Sequence, residues 1–159
     1  MGVTGRLAVF EDADELWTLR GKSGDVLLER FGYHVREDIA VPIAQVDRLV
    51  VSLERIARRE KVPYFLFGHL GEGSLHPNYA VAPTTRAASR IRAAVLRAAR
   101  ALGGTISAEH GVGSLKQAFL TEELGPGAVE LLWAVKRACD PDGILNPGKL
   151  YPTPSRPAR

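Results

Sequence analysis

From Ile43 to Arg59 the apolar residues Val46, Leu49, Val50, Leu53, Ile56 and Ala57 return at helical spacing, a stripe that has to be buried against another element. Beyond Pro63 comes Tyr64-Phe65-Leu66-Phe67, a dense aromatic and apolar run suited to a strand. A second helical stripe, Ile91, Ala94, Val95, Ala98 and Leu102, follows in a segment that Thr84 or Thr85 can cap and Gly103-Gly104 ends. Helices alternating with short strand signals predict an α+β domain. With 159 residues, 45% of them hydrophobic and 25% charged, the chain has enough material for one core.

The rest of the chain reads as shorter pieces. Arg6–Phe10 is expected to be a strand, and the carboxylates of Glu11, Asp12 and Asp14 to cap a helix carrying Leu16, Trp17 and Leu19. Gly21 and Gly24 interrupt that pattern, and Leu27–Phe31 suits a strand or a short helix equally. Glu37–Val41 reads as a buried strand, Gly68–Pro77 as a glycine-rich loop, and Asn78–Val81 as the strand that partners Tyr64–Phe67. Thr105–Ala108 is expected to be a short strand and Leu115–Glu123 a helix. Ala128–Ala138 is a helix with Leu131, Leu132, Val135 and Ala138 facing inward. Trp17 and Trp133 are expected in the core and Cys139 in packing, while the five prolines after Asp140 lead into an unpacked tail at 151–159.

Composition excludes several classes. A single cysteine leaves no internal disulfide and fits a reducing, cytoplasmic setting. The first ten residues lack a signal-peptide pattern, and no apolar run approaches the ~20 residues of a membrane span. Arg86, Arg90, Arg92, Arg97 and Arg100 crowd one helix, but no aromatic stands among them, so the stretch reads as a solvated amphipathic face rather than a nucleic-acid surface.

Two glycine-flanked segments hold three of the four histidines. In Gly68-His69-Leu70-Gly71-Glu72-Gly73-Ser74-Leu75-His76-Pro77-Asn78, two imidazoles seven apart would face opposite sides of a flat strand. The glycines allow the backbone to turn both rings toward one point. Glu109-His110, before Gly111-Val112-Gly113, sets a carboxylate beside an imidazole, a ligand next to a proton acceptor. If Glu109 joins His69 and His76, the result is two imidazoles and one carboxylate with open positions, which suits zinc, manganese and iron alike. Each segment taken alone suits a surface turn as well. His34 is expected to be structural or solvated.

The order of four segments resembles the C-terminal domain of FAD-linked oxidases, the group of D-lactate dehydrogenases, the glycolate oxidase D-subunit and D-2-hydroxyglutarate dehydrogenase. These are Asp38-Ile39-Ala40-Val41-Pro42, Gly68 to Asn78, Gly103 to Gly113, and Asp140-Pro141-Asp142-Gly143-Ile144-Leu145-Asn146-Pro147-Gly148-Lys149. The likeness covers about Leu7 to Leu150. It implies a ferredoxin-like cap, an antiparallel sheet with helices on one face, spanning 1–150. It also implies roles: His69, His76 and Glu109 as ligands of a divalent metal, zinc or manganese; His110 as the base; Asn78, Arg20 and Arg36 as substrate contacts; Asn146 and Lys149 in the segment that returns toward FAD. Arg36 falls where some members have lysine, Ser74 where the loop usually has Asn, and Gly24 near a position where some use threonine.

By that resemblance the complete enzyme oxidises a D-2-hydroxy acid by hydride transfer to flavin, with an arginine fork on the substrate carboxylate. No glycine-rich pyrophosphate loop and no FAD-binding domain stand in this sequence, and by the resemblance the first part of the cap is expected to be missing from it too. The chain is therefore expected to act as a fragment or one piece of a split enzyme, inactive alone. Exposed apolar surface or sheet edge would then pair with an FAD-binding domain, a partner subunit or a second copy. The alternative is a non-catalytic metal- or ligand-binding remnant of the same fold.

Overall fold

The computed structural model describes residues 13–32 and 34–151. The strand expected at Arg6–Phe10, the carboxylates of Glu11 and Asp12, and residues 152–159 of the tail lie outside the described residues. The fold is mixed α+β, with five helices and a small antiparallel sheet of four strands among the described residues. Its centre is β4 (Ser74–Tyr79), flanked on one side by β3 (Tyr64–His69) and on the other by β1 (Val35–Arg36) and β2 (Ile39–Ala40).

β1 and β2 are two halves of one line. Val35 pairs with Tyr79 and Ile39 with Leu75, so the register continues through the break and sets Glu37 opposite Pro77 and Asp38 opposite His76. Pro77 has no N–H to give, so one rung is missing there, although its carbonyl still accepts from Glu37 N at 3.0 Å. Period-two alternation then divides the residues between faces. Ile39, Leu75 and Tyr79 point to one side, and Asp38, His76 and Asn78 to the other.

The first face carries the core. The stripe of α2 (Val46–Glu60) buries Leu49, Leu53, Ile56 and Ala57, and that of α3 (Arg86–Ala101) buries Ile91, Val95, Leu96 and Ala99. Both meet Ile39, Leu75 and Tyr79 in one cluster, and the Tyr79 hydroxyl donates to the Leu53 carbonyl at 3.2 Å. Thr85 caps α3 by accepting from Ala88 N at 3.1 Å. The arginines of α3 are not simply solvated. Arg90 reaches Glu60 at 2.7 Å, Arg100 pairs with Glu122 and Glu123, and Arg92 is drawn onto buried Glu37 at 2.7 Å.

α1 (Ala13–Phe31) approaches the opposite face, where Phe31 meets Phe65 with ring centroids 5.4 Å apart. It runs unbroken through Gly21 and Gly24 and absorbs Leu27–Phe31, since single glycines weaken a helix without ending it; Gly21 has open space around it, and a Cβ at Gly24 would meet the Arg36 guanidinium at ordinary contact distance. The expected loop at Gly68–Pro77 is mostly strand: β3 extends to His69 and β4 starts at Ser74, leaving only a 3₁₀ turn at Leu70–Glu72 and Gly73. Thr105–Ala108 forms no strand beyond a single bridge from Thr105 to Ala40. The expected helix at Leu115–Glu123 is a 3₁₀ turn at Gln117–Phe119 leading into α4 (Leu120–Leu124).

Burial departs most from expectation outside that core. Trp17 is 62% exposed, and in α5 (Pro126–Cys139) Leu131 is 66% and Val135 54% exposed, with Val129 the buried residue of that helix. Trp133 is half-buried beside Tyr151, and Cys139 is exposed. Helical periodicity marked these faces as apolar, but no described element covers them. No helix among the described residues is long and apolar enough to cross a membrane.

Candidate functional site

The hairpin resolves how two histidines seven apart meet. Gly73 takes a left-handed φ of 71° and turns the chain so that His69 lies opposite Ser74 and Phe67 opposite His76. On adjacent antiparallel strands, unlike one flat strand, residues 69 and 76 share a face. Their rings stand edge to face with centroids 5.4 Å apart. Gly73 itself is pressed onto the edge of β2, where a Cβ would lie 2.0 Å from the Val41 carbonyl oxygen.

The Glu109-His110 segment reaches the same place from the far side of β2. Gly104 packs against the Ala40 carbonyl, and the loop that follows bends back over Asp38. His110 stacks on His76 with rings nearly parallel, 4° apart in orientation and 5.0 Å between centroids. Glu109 Oε1 then lies 3.0 Å from His76 Nε2, 3.4 Å from His69 Nε2 and 3.7 Å from His110 Nε2. Ligands held ~2.1 Å from one tetrahedral ion are themselves ~3.4 Å apart, so this spacing suits groups arranged around a cation. One ligand atom each from Asp38, His76, Glu109 and His110 falls within 4.8 Å of the others. Side chains of this kind, imidazole and carboxylate together, are a donor set for a borderline divalent metal.

The cluster forms one wall of a cleft of about 370 Å³. Arg20 and Gly24 of α1 and Arg36 of β1 also line it, so both arginines singled out in the sequence share the cleft with the histidines. Arg36 Nη2 lies 3.4 Å from His34 Nε2, and the Arg20 guanidinium sits over the Trp17 ring at 5.5 Å. Asn78 lies beneath the cleft rather than in its lining: it is fully buried, and its amide donates to the His76 carbonyl at 2.7 Å. Its Oδ1 has no hydrogen-bond partner. Asn146 and Lys149 stand elsewhere, lining a separate cavity of about 230 Å³ with Trp133, Lys136 and Tyr151.

Asp38 was not singled out as a site residue in the sequence, and it holds the site together. Its carboxylate is 2% exposed and accepts from Ser107 Oγ and from the backbone N–H groups of Ala108, Glu109 and His110 at 2.9–3.3 Å. Lys116, also buried, clamps the other side by donating to the Asp38 and Ile106 carbonyls at 2.6 and 2.7 Å. Burial opposes ionisation of Asp38, but the His110 N–H, Lys116 and Ser107 outweigh it and hold its carboxyl below the ordinary range. The reverse holds at His76, where burial and the neighbouring His110 lower the imidazole pKa against the pull of Asp38 and Glu109. Burial also depresses Lys116, against the pull of Glu37 and Asp38. An acid set directly before the apolar run Ile39-Ala40-Val41 was the available signal for Asp38. Which loop it would anchor depends on pairing that local sequence does not state.

Comparison with known proteins agrees with the ordered segments. Residues 2–150 match the family described as FAD linked oxidases, C-terminal domain. The chain is 33% identical over 126 residues to glycolate oxidase subunit GlcD of Bacillus subtilis, covering 77% of this chain and 27% of that protein. It is 34% identical over 124 residues to the mitochondrial D-lactate dehydrogenase (cytochrome) 1 of Saccharomyces cerevisiae, covering 76% and 21%. Over 151 residues it is 31% identical to the D-2-hydroxyglutarate dehydrogenase of Stutzerimonas stutzeri, covering 89% and 32%. The chain thus spans about a third or less of the length of these curated relatives. With its motifs in order and nearly its whole length matched, the chain belongs to the family of the C-terminal domain of FAD linked oxidases.

Proposed function

We propose that this chain is the substrate- and metal-binding part of a flavin-dependent D-2-hydroxyacid dehydrogenase of the D-lactate, glycolate or 2-hydroxyglutarate type. The observation that carries the reading is the one cleft lined by His69, His76, Glu109 and His110 together with Arg20 and Arg36. A 2-hydroxy acid has a carboxylate and a hydroxyl on neighbouring carbons. Arg20 and Arg36 supply planar, permanently charged forks for the carboxylate, and fixing that end orients the carbon between them. His110, exposed at the cleft, is placed to accept the hydroxyl proton. His69, His76 and Glu109 are the ligands proposed for a divalent cation, zinc or manganese, which when bound acts as a Lewis acid on the substrate oxygens. The resemblance assigns Asn78 a substrate contact; it lies buried outside the cleft lining, and its unpartnered Oδ1 supports a need for a further donor there.

The flavin, bound chiefly by a domain outside this sequence, supplies the hydride acceptor. Asn146 and Lys149 are assigned to the surface toward it, and the apolar residues left open on α1 and α5 support a partner domain or subunit against this chain. The antiparallel sheet with α2 and α3 on one face supports a ferredoxin-like cap, and we assign 1–150 to it, with a short tail beyond. A cytoplasmic location belongs to the same proposal.

The test is the metal content of the purified chain, wild type against His76→Ala. The reading expects near-stoichiometric divalent metal in the first and a loss of most of it in the second; equal content in both sinks the assignment. Assay with FAD, an FAD-binding partner domain and D-2-hydroxy acids separates an enzyme part from a binding module. Turnover that appears only with the partner supports the first, and tight metal binding without turnover supports the second.

A further inference from the structure

Glu109 and His110 are neighbours in the chain, and on extended backbone their side chains would point to opposite faces. Yet both line the cleft, with Glu109 Oε1 3.7 Å from His110 Nε2. The cause lies where a ladder stops. Ala40 and Thr105 exchange both backbone bonds, Ala40 N–H to the Thr105 carbonyl at 3.4 Å and Thr105 N–H to the Ala40 carbonyl at 2.8 Å. An antiparallel pair would repeat that exchange two residues on, between Asp38 and Ser107. Instead the Asp38 carbonyl accepts from Lys116 Nζ at 2.6 Å, and the Ser107 N–H turns back to Thr105 Oγ1 at 3.4 Å. The same buried ammonium donates to the Ile106 carbonyl at 2.7 Å. Off the ladder, the chain curls until the successive N–H groups of Ala108, Glu109 and His110 converge on Asp38 Oδ2 at 2.9–3.1 Å. Gly111 and Gly113, left-handed at φ 81° and 53°, then return it so that the Lys116 N–H reaches the Val112 carbonyl at 3.3 Å.

We propose that Lys116 is a positioning residue of the site: its ammonium takes the place of the backbone rung between Asp38 and Ser107, and so keeps 107–110 folded over Asp38 with Glu109 and His110 in one cleft. An ammonium has three donors and can serve two carbonyls at once, where a backbone N–H serves one. Without it the carbonyls of Asp38 and Ile106 lose their donor, and the group able to replace it at Asp38 is the Ser107 N–H, the partner a continuing ladder supplies. That exchange extends the strand, lifts 108–110 off the carboxylate and turns Glu109 and His110 to opposite sides. The interior tolerates the cation because Glu37 and Asp38 stand beside it, with Asp38 Oδ2 3.9 Å from Nζ. Only the consequence for metal affinity rests on the proposed metal site; the loop geometry stands without it.

Amide hydrogen exchange in the metal-free chain is the test, wild type against Lys116→Met, which keeps the length and removes the charge. Ala108, Glu109 and His110 are exposed, so protection of their N–H groups reports the Asp38 contact. The variant is expected to lose that protection by about tenfold or more beyond any change in α2 and α3. Unchanged protection at 108–110, or an equal loss in the loop and both helices, overturns the proposal, because the first shows no role and the second only general stability. Aminoethylation of Lys116→Cys in a Cys139→Ala background, done in urea before refolding, rebuilds an ammonium at lysine length and is expected to restore the loop. Failure to restore it overturns the ammonium as the cause. Cobalt titration followed by absorption bands reads the consequence, with Lys116→Met binding about 10- to 100-fold more weakly. A loosened loop with unchanged cobalt affinity refutes the link to the site. No cobalt binding in wild type overturns the proposed metal site, and exchange still decides the role of Lys116. If Lys116→Met does not fold, the wild type suffices: its ammonium is expected as a slowly exchanging ¹⁵N signal coupled to the Asp38 and Ile106 carbonyl carbons, and a signal without those couplings rejects the idea.

Discussion

Glu37 and Asp38 are adjacent, both buried, and point to opposite faces of one strand line, so the same two-residue break serves the core and the site. Glu37 turns toward the helices and meets Arg92 at 2.7 Å. Burial raises its pKa above the ordinary carboxylate range, with Arg92 and Lys116 working against that shift. Removing the guanidinium leaves a buried carboxylate uncompensated, so Arg92→Met is expected to destabilise the chain by about 3 kcal/mol in urea unfolding. The double variant Glu37→Gln, Arg92→Met should recover most of that loss. The pH dependence follows in sign. A folded pKa above the unfolded one means that the folded state holds the proton more tightly, so the group's contribution declines as pH rises from the unfolded pKa through the folded one. The deficit of Arg92→Met should therefore shrink on acidification toward the ordinary carboxylate range. A deficit that is flat with pH would show that lost packing of the arginine stem, not the charge, is responsible.

At the level of elements, the hairpin between β3 and β4 is what brings His69 and His76 together, and Gly73 is the point where it touches β2. A side chain at that position meets the Val41 carbonyl and also demands a left-handed backbone. Gly73→Ala is expected to lower stability by about 3 kcal/mol and to separate the histidines from Asp38, read as loss of metal along with loss of melting temperature. Gly21 provides the contrast. It lies inside α1 with open space around it, so Gly21→Ala should raise stability by roughly 0.5–1 kcal/mol. No gain there would mean that α1 is not a persistent helix in the isolated chain.

Across the whole molecule, apolar surface is divided unevenly. The core between the sheet and α2 and α3 is closed, whereas Trp17 and Leu19 on α1 and Leu131 and Val135 on α5 remain open. Surface of that kind drives association when no partner covers it. Sedimentation is expected to show an apparent mass that rises with concentration, and Leu131→Lys with Val135→Lys to lower it. A monodisperse monomer at every concentration would remove the argument for a covering partner.

The local signals that the chain carries depend on neighbours a few residues away, and those were legible. The stripes of α2 and α3, the Thr85 cap and the strand at Tyr64 followed from periodicity and side-chain chemistry alone. The His69, His76, Glu109 and His110 set could be named from glycine-flanked motifs, and two arginines from resemblance. What faces what was decided in three dimensions. Whether Leu131 is core or surface depends on what packs against α5, and whether Gly68–Pro77 is loop or strand depends on β1 and β2 offering a ladder. Asp38 shows the limit most clearly: an acid before a strand has no evident task until register sets it opposite His76 and the loop from Ser107 to His110 folds onto its oxygens. Hydrogen bonds across about 70 positions are properties of the fold, because the chain can make them only after both segments have docked on the same sheet.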